Sequence, residues 1–427
     1  MHNLTQKPLH KLLTLIEHKE LRVESVIEAY YQRIQQREDE VNAWQYLRSY
    51  DDYLAHYLAH KTYYEQSILK GLPFGVKDVI DTMDMPTTLG ADIYQNRQPL
   101  QDAVSVNLLK HYGGIVMGKT VTTSFAFFNP GVTRNPKKLD CTPGGSSSGS
   151  AAAVSDGMIP FALGTQTAAS VIRPASYCGC IGYVGTHGEF SMRNIQPLAQ
   201  SLDSLGILTQ SVEDVMLIRD LLLMRPKTEL QPIDLSELNI GICDGEMLGE
   251  IDLAMQRVFL TWIESLRSQG INCVHLPNEL DIKTIAEQHY FIMAFEVARN
   301  LSIEYFNGEI DALLADLIET GLTFSYKEYC TMKQDLCEQK EALKQWRGQN
   351  NITAITAPSA PGVAPTGIQH TGKPFMSRPW QALGFPVITL PIAEDQLLPL
   401  GVQLIGLEGD DRLLNLAYSL FDKKKEI

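Results

Sequence analysis

Two small-residue segments constrain this chain more than any other part of it: Gly144-Gly145-Ser146-Ser147-Ser148-Gly149-Ser150 and Gly164-Thr165-Gln166-Thr167-Ala168-Ala169-Ser170. Glycine- and serine-rich stretches are most often flexible linkers. The first run, however, passes directly into Ala151-Ala152-Ala153-Val154, a good helix start, so it reads as a turn feeding a helix. A phosphate-binding loop of the Walker type needs Lys-Ser/Thr after its last glycine, and here Ser150-Ala151 follows Gly149. What remains is a pair of hydroxyls, Ser146 and Ser170, whose neighbours lack the bulk to keep a carbonyl away. Glycine also permits backbone angles that aim N–H groups at one point. A third piece, Gly75-Val76-Lys77-Asp78, follows an apolar stretch upstream. Two serines and a lysine can form a proton relay ending in a nucleophile. The plainer readings stay open at this level: both segments as structural turns, and Lys77 as a surface lysine paired with Asp78.

The texture around these segments is that of an α/β protein. Short apolar runs at 72–76, 114–118 and 160–164 read as buried strands, separated by helical patterns at 104–109 and 151–158 and by glycine turns. Upstream, residues 8–38 read as two helices with a break near 20–24, and 51–66 as helical. Downstream, 238–243 and 271–275 read as strands around a helix marked by Ala254, Val258, Trp262 and Leu266. Residues 280–348 are helix-rich and charged. The tail returns to apolar strands at 352–357, 386–391 and 400–406, with a closing helix through Leu413, Leu416 and Leu420. The chain divides into an N-terminal helical segment (1–68), a core (70–220), a covering and specificity region (225–350) and a C-terminal return to the core sheet (351–427), read together as one domain.

Charge and cysteine content remove several function classes. The formal net charge of −14 over 427 residues repels phosphate backbones and anionic membranes, so neither nucleic acid nor membrane is an expected partner. No apolar run reaches the ~18 residues needed to cross a bilayer, and the N-terminus opens no apolar signal core. The seven cysteines are odd in number, and Cys178-Gly179-Cys180 lacks the spacing of a redox or metal motif. They read as free thiols in a reducing compartment, which points to the cytoplasm.

At this level of detail the motifs resemble the amidase signature family. Its lysine segment is similar to Gly71-Leu72-Pro73-Phe74-Gly75-Val76-Lys77-Asp78, its glycine-serine segment to Pro143 through Val154, and its nucleophile segment to Gly164 through Ser176. Gly118-Lys119-Thr120, Thr133-Arg134-Asn135-Pro136, Ser201-Leu202-Asp203 and Ser211-Val212-Glu213-Asp214 extend the likeness, which is dense from about 70 to 215. The resemblance implies a large mixed β-sheet sandwiched by helices and a Ser-cisSer-Lys triad. Carried over by position, Ser170 is the acylated nucleophile, Ser146 the relay serine entered by a cis peptide from Gly145, and Lys77 the base. The backbone N–H groups of Thr167, Ala168, Ala169 and Ser170 form the oxyanion hole, and Ser147 and Arg173 are further substrate-contact candidates. Lys77 must then be neutral, which a lysine near pKa ~10.4 achieves at neutral pH only by burial.

Five positions depart from the family pattern. Ala169 stands where glycine usually precedes the nucleophile, Gln166 where many members have aspartate, Arg173 three residues after the nucleophile rather than two, Val184-Gly185 for Lys-Pro, and Ser124 for a glutamate. Ala169 matters most, since an added Cβ disfavours positive φ. His187 reads as structural, Cys178 and Cys180 as packing thiols, and Asp203 and Arg134 as loop braces. The expected activity is hydrolysis of a small-molecule carboxamide to carboxylate and ammonia, with no metal or organic cofactor. The alternatives are a glutaminase-type component of an amidotransferase, an acyl transferase, or a catalytically silent binding protein on the same fold; a homo-oligomer is left open.

Overall fold

The computed structural model describes residues 2–409 and 411–421. In chain order the strands are β1 (Trp44–Leu47), β2 (Pro73–Lys77), β3 (Ile115–Thr120), β4 (Phe161–Gln166), β5 (Ile181–Val184), β6 (Ser204–Thr209), β7 (Asn239–Ile242), β8 (Asn272–His275), β9 (Ile352–Pro358), β10 (Val387–Asp395) and β11 (Leu398–Ile405). Together they make an 11-stranded mixed sheet in the order β1-β3-β2-β4-β6-β5-β10-β11-β9-β7-β8. β2 pairs parallel to both β3 and β4, β4 antiparallel to β6, and β10 antiparallel to β5 and β11. Every residue of β2, β3, β4, β5, β6 and β11 is buried, as expected for strands covered by helices on both faces. This is the large mixed sheet between helices that the motif resemblance implied.

The first glycine-serine run becomes the helix Ser148–Ser155, which packs against β2, β3, β4 and β6 and is buried from Ser148 through Val154. Its small residues let it lie almost on the backbone of its neighbours. A Cβ on Gly149 would sit 2.2 Å from Ala43 O and 2.4 Å from Val121 N, inside any van der Waals contact. Gly149 N instead donates to Val121 O at 3.0 Å. The segment is therefore no linker; its composition is the condition for close packing.

Several elements lie where the sequence reading places none. β5 and β6 are short and glycine-containing, the helices Ile172–Cys178 and Arg378–Leu383 are brief, and Val212–Leu222 is buried at every residue but Glu213. Short, interrupted segments of this kind offer neither a helical period nor an unbroken apolar run. The helical stretch at 51–66 is split at His60 into Tyr50–Ala59 and Lys61–Gln66. The charged 280–348 stretch is helical as expected. Its first helix, Ile282–Asn300, is buried along Ile292–Ala298 and packs on helices Ala312–Leu322, Tyr326–Gln349 and Arg378–Leu383. All seven cysteines are free. Among the described residues no helix is long and apolar enough to cross a membrane, and no cluster of His, Cys, Asp or Glu could hold a metal ion.

Candidate functional site

Lys77 is the last residue of β2 and is fully buried. Successive side chains on a strand point to opposite sides, and Lys77 and Asp78 diverge accordingly. Asp78 turns to Lys119 of β3 at 3.3 Å and to the backbone N–H of Thr88 at 3.0 Å. The surface Lys77–Asp78 pair is thereby excluded. Lys77 Nζ donates to Ser146 Oγ at 2.7 Å, to Thr165 Oγ1 at 2.8 Å and to Thr165 O at 3.2 Å. Burial pushes its pKa down from 10.5 to about 7, partly opposed by the charge of Asp203. No ion pair holds Lys77 among the described residues, so near neutrality a large fraction of it carries no proton and Nζ can accept one.

Ser146 follows a cis peptide from Gly145 and is buried. Gly144, at φ +80°, turns the chain into it; a side chain there would meet Pro174 Cα at 2.9 Å. Ser147 N then donates to Ser170 O at 3.1 Å, which ties the glycine-serine segment to the second serine's backbone. Ser147 itself turns toward β4, its hydroxyl donating to Thr165 O at 3.3 Å. Ser170 is partly exposed, and its hydroxyl has no hydrogen-bond partner among the described residues. It lines a cleft of about 10 Å³ with Ala126, Phe127, Phe128, Thr167, Ala168, Ala169, Arg173, Leu198, Met293 and Pro374. Phe128 also walls a larger cavity of about 780 Å³, bordered by Tyr177, Glu250, Asp252 and Lys373.

The turn before Ser170 has an unusual hydrogen-bond pattern. The amides of Thr167, Ala168, Ala169 and Ser170 donate to no acceptor among the described residues, while those of Val171 and Ile172 both donate to Gln166 Oε1, at 2.9 and 3.1 Å. Unpaired backbone donors are uncommon in a buried segment, and here four follow one another. The turn is held from three sides. Gln166 Nε2 donates to Gln381 Oε1 at 2.9 Å. Thr167 Oγ1 donates to Asp203 at 2.5 Å. His289 Nε2 donates to Thr167 O at 2.6 Å. Asp203 is fixed in turn by the amides of Leu198 and Ala199, and burial raises its pKa to about 7. His289 is pushed down to about 3 by burial and stays neutral.

The departures from the family pattern now have physical readings. Gln166 supplies through its amide oxygen the acceptor that a carboxylate would supply. Ala169 is not among the residues with positive φ, so its Cβ meets no left-handed backbone strain. Arg173 is buried and its terminal nitrogens donate to Gly145 O at 2.6 Å, Thr371 Oγ1 at 3.1 Å and Gly372 O at 2.8 Å. It links the cis peptide to the 371–372 loop. Ser124 lies in the short turn Ser124–Ala126 beside the cleft, and Val184 ends β5 at Gly185. Arg134 bonds locally to Leu139 O at 3.2 Å. His187 borders a separate cavity with Lys333 and Lys340, away from the serines. Cys178 and Cys180 are buried thiols pushed up by desolvation.

The sequence does not single out Thr165, Gln381 or His289. Thr165 lies inside the nucleophile motif, next to Gln166. Gln381 and His289 reach the turn from more than 100 residues away, and nothing local marks them.

A family model described as Amidase matches residues 25–414. The chain belongs to the amidase family. It is an enzyme of the amide C–N bond. A relative from Halothermothrix orenii, named as a component of glutamyl-tRNA(Gln) amidotransferase, is 27% identical with 96% of each chain covered. One of the same name from Sulfurihydrogenibium sp. is 32% identical over 70% of this chain, and the match spans 66% of that relative's length. A solved structure described as an amidase superposes with a TM-score of 0.86 at 24% identity, covering 98% of this chain and 100% of the other. A peptide amidase in complex with chymostatin gives 0.83 at 24% identity, with 98% of each covered. At that identity the two structures share the fold with this amidase.

Proposed function

We propose that this amidase hydrolyses a small-molecule carboxamide to a carboxylate and ammonia through an ester on Ser170. The observation that carries the reading is the buried Lys77 held on Ser146 beside a turn with four unpaired amides. Ser170 Oγ attacks the amide carbon while its proton passes to Ser146 and the Ser146 proton to Lys77 Nζ. The carbonyl oxygen, now negative, is met by the amides of the 167–170 turn. Such preorganised donors supply about 3 kcal/mol each at a developing oxyanion. The C–N bond breaks as the relay returns the proton to the departing nitrogen. Water then attacks the Ser170 ester through the same relay and releases the acid. Ser170 and Ser146 are not hydrogen-bonded in this structure; such contacts tighten when substrate fills the cleft. No step requires a metal or an organic cofactor, and the helices of 225–350 set the wall above the turn.

The test is ammonia release from a panel of aliphatic and aromatic amides, together with labelling by a fluorophosphonate probe. Turnover and labelling of Ser170, both lost in Ser170→Ala, are expected. Undiminished turnover in that variant overturns the mechanism, and absence of both in the native enzyme favours a silent protein on this fold.

A second reading, the glutaminase component of an amidotransferase, is supported by the name shared by the two relatives above. It requires partner proteins. Glutamine hydrolysis that appears only when a co-purifying protein is present supports it; amide hydrolysis by the isolated chain supports the first.

A further inference from the structure

Four cationic side chains lie buried or half-buried in and around the site. Lys77 holds Ser146 and Thr165, Lys119 holds Asp78, Thr87 and Ile80 O, and Arg173 holds Gly145 O, Thr371 and Gly372 O. Arg378 differs. Among the described residues its side chain makes neither a hydrogen bond nor an ion pair, and its Nε–H is sealed from solvent without an acceptor. Its guanidinium carbon lies 5.5 Å from the centre of the Tyr290 ring. Arg378 is only half-buried, and of its donors only Nε is sealed from solvent; a guanidinium that no protein group engages is free to take an acceptor from outside the chain.

The position of Arg378 says where that acceptor enters. It lines a cavity of about 450 Å³ with Leu248, Lys283, Glu287, Tyr290 and Phe291. Glu287 makes no ion pair with it, and Lys283 is exposed. Tyr290 and Met293 are one turn apart on the helix Ile282–Asn300 and share a face. Met293 lines the cleft over Ser170, and so does Pro374, four residues before Arg378. The cavity and the cleft are therefore lined in part by the same helix, at positions one turn apart. A second unpaired group lies close by. His289 donates through Nε2 to Thr167 O, which leaves Nδ1 as an acceptor, buried and without a donor. The Arg378 charge is felt at both His289 and Arg173.

We propose that Arg378 receives a carboxylate carried by the substrate, so that the preferred substrates are amide acids, chains with a carboxamide at one end and a carboxylate at the other. This rests on the hydrolase reading above and names the substrate class of that site. Arg173 does not serve this purpose in this structure, because both of its terminal nitrogens are already engaged by backbone carbonyls and Thr371.

The experiment has two arms. In the first, ammonia release from succinamate, glutaramate and adipamate is compared with that from uncharged amides of the same chain length. The native enzyme is expected to favour one amide acid by about 100-fold in kcat/KM, the scale of a charge-assisted contact. Arg378→Gln is expected to collapse that ratio, chiefly through KM, and Arg378→Lys to restore part of it. A native ratio near one, or a ratio unchanged in Arg378→Gln, overturns the proposal. In the second arm the Ser170→Ala protein is titrated calorimetrically with glutaramate, with and without Arg378→Gln. A Kd at least about tenfold weaker in the double variant supports the site; equal affinities, or no binding, overturn it. Turnover of neutral and acidic amides alike would sink the carboxylate site and leave the hydrolase reading standing. Arg378-dependent binding without turnover of any amide would do the reverse.

Discussion

Replacing Lys77 by methionine is expected to abolish turnover and to stabilise the protein near neutral pH, by an amount that shrinks away as pH rises. The lysine is fully buried and its pKa falls from 10.5 to about 7 on folding. Between these values the unfolded chain holds a proton that the folded chain has released, so stability rises with pH across this window. Below it, the folded state carries the whole penalty of a desolvated ammonium. From the two pKa values the penalty is about 4 kcal/mol at pH ~7.5 and about 1.4 kcal/mol at pH ~9.5, at about 1.36 kcal/mol per pKa unit. Methionine is similar in volume and uncharged, so it removes this penalty with little change of packing. It also removes the donor to Ser146 Oγ and to Thr165, which costs about 1 kcal/mol per hydrogen bond. That loss does not vary with pH and cancels when the two conditions are compared. The stability gain of Lys77→Met over the native protein is therefore expected to be larger at pH ~7.5 than at pH ~9.5 by about 2.5 kcal/mol. Urea unfolding of both proteins at the two pH values measures it. A difference that is the same at both would show that the lysine is not held neutral and would refute the reasoning behind the base.

Other outcomes follow from the same contacts. The rate constant kcat/KM is expected to rise with pH through a midpoint near 7 as Lys77 loses its proton; Asp203→Asn, which removes the charge favouring the ammonium, moves that midpoint lower. Gln166→Leu strands the amides of Val171 and Ile172, and kcat is expected to fall about 100-fold as the turn loses its shape, with Ser170 labelling reduced in parallel. Asp78→Ala leaves Lys119 buried without its carboxylate and is expected to cost about 3–5 kcal/mol in chemical unfolding. Gly149→Ala places a Cβ 2.2 Å from Ala43 O; a loss of about 3 kcal/mol or more in unfolding free energy is expected, and a neutral outcome would show that the helix can retreat from β3.

Much of the fold is legible along the chain. The strands β2, β3, β4, β7, β8, β9, β10 and β11 stand within a few residues of their apolar runs, because those runs are bounded by glycine, proline or polar turns. The paired helices Leu9–Glu17 and Val23–Val41 follow a clear helical spacing. β5, β6 and the helix Ile172–Cys178 are not legible, since they are short, interrupted segments that show neither a helical period nor an unbroken apolar run. The site divides in the same way. Lys77, Ser146 and Ser170 lie in short motifs whose small residues set them apart. Gln381, His289 and Arg378 come from distant helices whose local sequence has no special composition.

By itself the sequence determined the chemistry available: two hydroxyls in segments without bulk, one lysine after an apolar strand, and no excess of positive charge or pattern of metal ligands. It could not determine whether that lysine is charged. Both the surface pair with Asp78 and the buried contact with Ser146 satisfied the chain locally, and only the stacking of β3, β2 and β4 beneath the helix Ser148–Ser155 excluded water from Nζ and gave Asp78 to Lys119 instead. A protonation state depends on the dielectric and on partners within a few ångströms, and here those partners, Ser146 and Thr165, lie 69 and 88 residues away in the chain.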